Sequence, residues 1–389
     1  MPTAGTPLAA SEGRPHFSAV WVWDNSANAY INNTLESQLV GGTTFTVLEA
    51  TADYLYLGNE SRFDLAYFNL AIAGSLGTLT WQHWDGSAWT QFAPGRSYTY
   101  ATGSDPGYVN YGFLRDGVET FDNLLGWAGC HLITTDHGSG QGVASPDAVD
   151  RYWIRVRSAS SVTTAPTVNN IRCRCYAAYC TATDVANIMQ LDTDFSSSTS
   201  PTRNAVEDAI HAAQSYIDHE TQKSWRVNFV LNEHHEYRAS GITLVRSPAW
   251  KVLSLEVWNG SEWDAKEEGR NQDYFFTPDY NLLMFSRYFL LPARFQSVAS
   301  SLGWWGWGEF VHPVRISYLY GGDIFTNERE GGMVFDVARK MAAIDVWQSH
   351  DYSIMSVSGS DKVPLERKIQ LWRDETERKL DSLKGWVVI

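Results

Sequence analysis

From Phe17 to about Ala178, apolar and polar residues alternate in short runs: AVWVWD, TFTVLEA, YLYLG, AYFNLAI, TLTWQHW, ETFDNLLGW, RYWIRVR and NNIRCRCY, with Gly, Asn, Asp and Ser clusters between them. Eight short strands with few helical windows predict an antiparallel β-sandwich, jelly-roll-like in class. Within RYWIRVR a period of two sends Tyr152, Ile154 and Val156 inward and puts Trp153, Arg155 and Arg157 on the opposite face. That face reads either as a solvated surface with Arg stacked on Trp or as a binding surface of the sandwich. The segment 158–168, SASSVTTAPTV, reads as a strand-joining loop.

At Thr181 the period changes. Two helices are predicted, over about 183–191 and 202–222, with an Asp- and Ser-rich spacer between them. In the second, Pro201 suits a first helical position, Glu207 and Asp208 lie near the positive end of the helix dipole, and Val206, Ile210, Ala213 and Ile217 share one face. A β region follows over 226–322. Two more helices come after it, over about 329–349 and 364–384. The first of these carries the stripe Met333, Val337, Met341, Ile344 and Trp347. The second carries Leu365, Ile369, Trp372, Thr376, Leu380 and Leu383 behind Pro364, with Asp374 and Arg378, and Glu375 and Lys379, at ion-pair spacing. The whole is α+β and multidomain: an arm over 1–16, the sandwich over 17–178, and a mainly helical domain with an inserted β region over 179–389. Each half has its own apolar pattern, so 179–389 is expected to fold alone.

The stretch TATDVANIMQLDTDFSSSTSPTRNAVEDAIHAAQSYIDHETQKSW carries the most specific pattern. A short helix, a polar spacer and an Ala-rich helix ending in "YID..T..SW" lead into strands with an "R-x-P" turn, then "V-W-N-G-S-E-W", then "V-x-I-x-Y-x-Y-G-G". In these features the chain from Thr181 to Leu383 resembles the head-tail connector (adaptor, or head-completion) proteins of tailed phages. The segments "YFNLA...TLTWQHWDGSAWT" and "RYWIRVR.....TTAPTV" resemble a β-module of phage structural proteins. The resemblance implies a virion structural protein at the head-tail junction. Such a protein forms a dodecameric ring under the portal protein, extends the DNA channel without sequence-specific binding, and meets a tail or neck completion protein. The sandwich and the long loop PARFQSVASSLGWWGWGEFVH depart from a minimal connector.

Composition narrows the remaining classes. A chain of 389 residues suggests two domains, and a formal net charge of −14 argues against a phosphate-neutralising surface over the whole protein. It suits the wall of a DNA conduit, which should repel phosphates. No signal peptide is expected from the N-terminus, and no run of about 18 apolar residues occurs. Cys130, Cys173, Cys175 and Cys180 are too few for a disulfide framework. Cys173 and Cys175 fall on one strand face and read as buried thiols rather than metal ligands. The 17 tryptophans imply large contact surfaces. Trp84-Asp85-Gly86-Ser87-Ala88-Trp89 and Trp258-Asn259-Gly260-Ser261-Glu262-Trp263 read as two hairpin tips with tryptophans paired across the strands.

Candidate chemistry is sparse. His234 and His235 are adjacent and face opposite ways on a strand, unlike the helical spacing of a zinc site, and His131 and His137 flank Asp136 in a Gly-rich loop. No Walker loop, nucleophile elbow or dinucleotide turn occurs. The chain is read as a non-enzyme with no cofactor, metal or membrane partner. Two contact sites are expected instead. Trp304, Trp305 and Trp307, spaced by glycines, either contact a neighbouring subunit or the tail or fold back on their own sheet. Trp372, Leu380, Leu383, Trp386, Val387, Val388 and Ile389 are expected to dock on the portal, the alternative for the C-terminal residues being the chain's own core. A rival class is a glycan-binding adhesin that uses the Trp-rich sandwich.

Overall fold

The computed structural model describes residues 16–38, 43–93, 97–98, 112–121, 124, 126–130, 132, 149–236, 241–258, 262–269, 272–286, 313–322, 328–349 and 365–384. Its first half contains β1 (Ala19–Asp24), β2 (Ala29–Asn32), α1 (Thr34–Gln38), β3 (Phe45–Thr46), β4 (Tyr54–Asn59), β5 (Phe63–Ile72), β6 (Ser75–Leu76), β7 (Leu79–Trp84) and β8 (Trp89–Phe92). It continues with β9 (Ser97–Tyr98), β10 (Gly117–Thr120), β11 (Gly129–Cys130), β12 (Arg151–Ser158), β13 (Val162–Thr164) and β14 (Thr167–Cys175).

Apart from β6 and β13, which pair with each other, these strands form two antiparallel sheets, one in the order β2-β1-β4-β12-β7-β8 with β11 beside β12, the other β3-β14-β5-β10-β9. Alternation lets each sheet turn an apolar face to a common layer. Val20, Val22, Leu55, Leu57, Ile154 and Val156 from the first meet Phe63, Phe68, Ile171 and Cys173 from the second in one cluster. The segment expected as a plain loop, 158–168, carries β13, which pairs with β6.

The second half runs α2 (Ala182–Met189), α3 (Arg203–Thr221), β15 (Asn228–His235), β16 (Ile242–Thr243), β17 (Ala249–Trp258), β18 (Trp263–Lys266), β19 (Tyr274–Thr277), β20 (Leu282–Phe285), β21 (Val314–Tyr320), α4 (Glu328–Ser349) and α5 (Leu365–Leu383). The expected mainly helical character is tempered by two further antiparallel sheets, β15-β21-β17-β18 and β16-β20-β19. Their inner residues, among them Leu255, Val257, Phe276, Leu283 and Ile316, share a separate core.

Local chemistry sets the helix starts. The Thr181 side chain accepts from the Asp184 N–H while the Asp184 carboxylate accepts from the Thr181 N–H, a reciprocal cap for α2. For α3 the cap is Thr202, whose hydroxyl accepts from the Ala205 N–H at 3.3 Å. Pro201 therefore precedes the cap and is not the first helical residue, because the hydroxyl one position later satisfies an otherwise orphaned N–H. The face Val206, Ile210, Ala213 and Ile217 is buried as its spacing predicts. Both tryptophan hairpins also form. Trp84 opposes Trp89 and Trp258 opposes Trp263, with ring centroids 5.7 and 5.5 Å apart. At the first tip Asp85 Oδ1 accepts from the Ser87 and Ala88 N–H groups, each at 2.8 Å. Gly86 there takes a φ of 98°, open to glycine without steric cost.

Packing runs across residue 178, where strands give way to helices. The cluster that holds the two N-terminal sheets together also contains Val185, Val206, Ile217, Val334, Val337 and Leu383. A smaller cluster joins Leu65, Tyr67 and Val118 of the first half to Val227 and Leu319 of the second. Among the described residues, no helix is long and apolar enough to cross a membrane.

Candidate functional site

The sheet face assigned to Trp153, Arg155 and Arg157 is not a free surface, which corrects the sequence expectation. β12 lies between β4 and β7, and both of its faces are covered. Trp153 is fully buried in a cluster with Ala19, Trp23, Tyr56 and Leu132. Its Nε1 donates to the Cys130 carbonyl at 2.8 Å. Gly58 stands opposite it across the ladder, and a Cβ there would come within 2.4 Å of the indole. Arg155 is also buried: Nε donates to Gln82 Oε1 at 2.8 Å, and the guanidinium lies 4.3 Å from the Trp89 ring centre and 4.6 Å from that of Tyr54. Arg157, half-buried, sits 5.6 Å over Tyr54. A sugar ring has no access to Trp153.

The portal-docking stripe is corrected in part. Leu380 and Leu383 are 6% and 2% exposed, enclosed by the chain's own core. Trp372 stacks on Trp347, ring centroids 5.0 Å apart, with Lys368 Nζ 4.8 Å above it. α5 is clamped to α4 by charge: Asp336 of α4, which accepts from Arg339 at 2.6 Å and Lys340 at 2.7 Å within its own helix, also accepts from Lys379 of α5 at 2.5 Å, and Lys340 reaches Glu375 of α5 at 2.7 Å. Burial pushes the Asp336 carboxyl up, but these donors more than offset it and hold it below the ordinary carboxylate range. Glu375 pairs with Lys379 at 2.6 Å as the spacing predicts. Arg378 instead donates to the backbone carbonyl of Asp374. A groove of about 530 Å³ runs between α3, α4 and α5, lined by Ala209, Tyr216, Met341, Thr376 and Lys384 among others. Trp386, Val387, Val388 and Ile389, like Trp304, Trp305, Trp307, His131, Asp136 and His137, lie outside the described residues.

A polar cavity of about 190 Å³ sits where the two halves meet. β14 contributes Arg174. α3 contributes His211, Ser215, Asp218 and His219. Asn228 and Tyr320 come from β15 and β21, Arg226 from just before β15, and Arg246 from the connection between β16 and β17. Arg174 grips Asp64 with two bonds, Nε to Oδ1 at 2.7 Å and Nη2 to Oδ2 at 2.8 Å, and reaches Asn228 Oδ1 at 2.6 Å. Burial raises the Asp64 carboxyl, and Arg174 outweighs that and brings it below its usual value. Arg226 donates to Asp218 Oδ2 and to Ser215 Oγ, each at 3.2 Å. Its Nη1 lies 3.4 Å from His211 Nδ1, so that nitrogen accepts and Nε2 bears the proton, 3.8 Å from Asp64 Oδ2. Burial first and the Arg226 charge second push the His211 pKa down to about 4, so its ring is neutral at pH 7. The sequence reading missed this cluster. Its one signal was the alternation in NNIRCRCY, where charged residues occupy the face opposite the thiols.

The histidine pair is a sheet feature. His235 Nε2 meets Glu233 Oε1, whose other oxygen accepts from the Tyr318 hydroxyl at 2.8 Å, and His234 packs edge-on against Trp263. Cys173 and Cys175 are buried with Sγ atoms 3.5 Å apart, and Cys180 is buried as a free thiol. Among the described residues no group of His, Cys, Asp or Glu is arranged to hold a metal ion.

No protein-family model matches the chain, and no curated protein matches it. Among solved structures, a chain from the neck of an empty gene transfer agent particle is similar over 49% of this chain and 87% of its own length, at 16% identity and a TM-score of 0.27. A chain from the virion of the native gene transfer agent particle is similar over the same shares, at 15% identity and the same TM-score. Superpositions this loose leave the function to be argued from the chain itself.

Proposed function

We propose that this chain is a virion structural protein of the head-tail junction, a connector that forms a dodecameric ring beneath the portal, extends the DNA channel and receives a tail or neck completion protein. The observation that carries the reading is the order of elements from Thr181 to Leu383: a capped short helix, a polar spacer, a longer helix, antiparallel sheets, then two helices packed back on the first pair. That order is the connector pattern read in the sequence. The N-terminal sheets, taken as a jelly-roll-like module, decorate the neck or hold a neighbouring virion protein. The lumen wall is acidic, in keeping with the net charge of −14.

With Leu380 and Leu383 internal, the portal contact falls to Trp372 and to Trp386, Val387, Val388 and Ile389. The loop with Trp304, Trp305 and Trp307 serves a neighbouring subunit or the tail. Deleting residues 386–389 tests this assignment. The truncated chain should melt as the full chain does and fail to join portal rings or DNA-filled heads. Normal attachment, or a melting temperature many degrees lower, would place the portal contact elsewhere.

A further inference from the structure

The junction cavity has more guanidinium than carboxylate. Arg174 is spent on Asp64 and Asn228, and Arg226 on Asp218 and Ser215. Arg246, half-buried between β16 and β17, has no hydrogen-bond or ion-pair partner for its side chain among the described residues, although it lines the same cavity. Its backbone is pinned on both sides. The Arg246 N–H donates to the Tyr318 hydroxyl at 3.0 Å, and its carbonyl accepts from Asn281 Nδ2 at 3.0 Å. Asp218, the one carboxylate in the lining, is already held by Arg226 and the Tyr179 hydroxyl. With His211 neutral, three guanidinium groups face two carboxylates among the described residues, one positive charge more than negative.

We propose that this cavity is a binding site for a free, doubly charged tetrahedral oxyanion of the phosphate or sulfate class, with Arg246 as its principal ligand. A planar guanidinium presents two parallel N–H groups that match two oxygens of such an ion. The Tyr320 hydroxyl and the exposed His219 line the same space and supply further donors. At about 190 Å³, the cavity has room for roughly six water-sized volumes, enough for the ion and a few waters. The bound ion would more than offset the surplus positive charge where the two halves meet, so occupancy would stabilise their packing against each other.

Calorimetric titration of the full chain, in chloride buffer of fixed ionic strength, with sodium phosphate and separately with sodium sulfate tests the site. One saturable site per chain is expected, with a melting temperature that rises as the anion is added. Arg246→Gln should weaken binding at least tenfold. Arg367→Gln, which removes the same charge from an exposed position on α5, should bind as the unaltered chain does. The Arg246 side chain makes no hydrogen bond or ion pair with a described residue, so its replacement should leave the fold intact. If Arg246→Gln does not fold, Arg246→Lys decides, since it keeps the charge, gives up the fork and should bind several-fold more weakly. Absence of saturable binding with both anions, or unchanged affinity in the Arg246 variant that folds, overturns the proposal. Competition by a duplex oligonucleotide at equal phosphate concentration would also overturn it, by making the ligand a backbone phosphodiester rather than a free ion.

Discussion

Arg62, in the turn entering β5, donates from Nε to Glu207 Oε2 at 3.3 Å, and Glu207 is a carboxylate of α3 that is 1% exposed. The pair spans 145 residues and bolts the strand-rich half to the first turns of α3. Arg62 also donates to Asp208 at 2.9 Å and to the Asn204 carbonyl. Thus the acidic residues that dipole arguments place at the start of α3 serve a tertiary contact.

Arg62→Ala should destabilise the chain by about 3 kcal/mol, the low end of what breaking a buried ion pair costs, because Arg203 still reaches Glu207 at 3.2 Å. Burial raises the Glu207 pKa in the folded chain. A raised carboxylate contributes stability that is present at low pH and lost as pH rises through the folded value. The cost of Arg62→Ala, measured by urea unfolding, should therefore be smaller at pH 5 than at pH 8. Equal costs at both pH values would contradict a buried, strained Glu207.

Gly58→Ala should cost about 1–3 kcal/mol by overpacking, since the new methyl would fall on the Trp153 indole. Trp153→Ala should cost about 3–5 kcal/mol. The double variant should cost clearly less than the sum, because removing the indole makes room for the methyl. Strict additivity in thermal melts would mean the two side chains do not compete for space.

His211 predicts a pH dependence of the opposite kind. Its folded pKa of about 4 lies below the ordinary histidine value, so the stability linked to it is present above about pH 6.5 and lost as pH falls toward 4. The loss should total roughly 3 kcal/mol, at 1.4 kcal/mol per pKa unit. His211→Phe keeps a ring to stack on Tyr176, 4.3 Å away, and removes the titration. Denaturant midpoints at pH 7 and pH 4.5 should converge in that variant, and an unchanged gap would acquit His211.

Residues 179–389 expressed alone should be insoluble or lack fixed side-chain packing, because Val206, Ile217, Val227 and Leu319 would lose their apolar neighbours in the first half. Near-ultraviolet circular dichroism and dispersion of methyl resonances report this directly. A fragment with sharp native-like spectra would show that the helical half has a sufficient core of its own.

Much of the local structure was determined by the sequence alone. Alternation located β1, β4, β5, β7, β12 and β14, the spacing of Val206, Ile210, Ala213 and Ile217 set the buried face of α3, and Asp-Gly between tryptophans specified the hairpin at Trp84 and Trp89. These features depend on neighbours within a few residues, which a one-dimensional pattern records. Tertiary structure decided which faces were free. Alternation divides Trp153 from Ile154 but is silent on whether the far side of β12 meets water, and here Tyr56 and Leu132 cover it while Gly58 makes room. The stripe through Leu380 and Leu383 has the spacing of a docking face, yet the chain's own core fills it. The junction cavity was least legible, because Asp64, Arg174, His211, Arg226 and Arg246 come from five separate segments. A charge in a sequence carries no sign of its partner, and only the folded chain brings three guanidinium groups against two carboxylates and leaves the Arg246 side chain without a hydrogen-bond or ion-pair partner among the described residues.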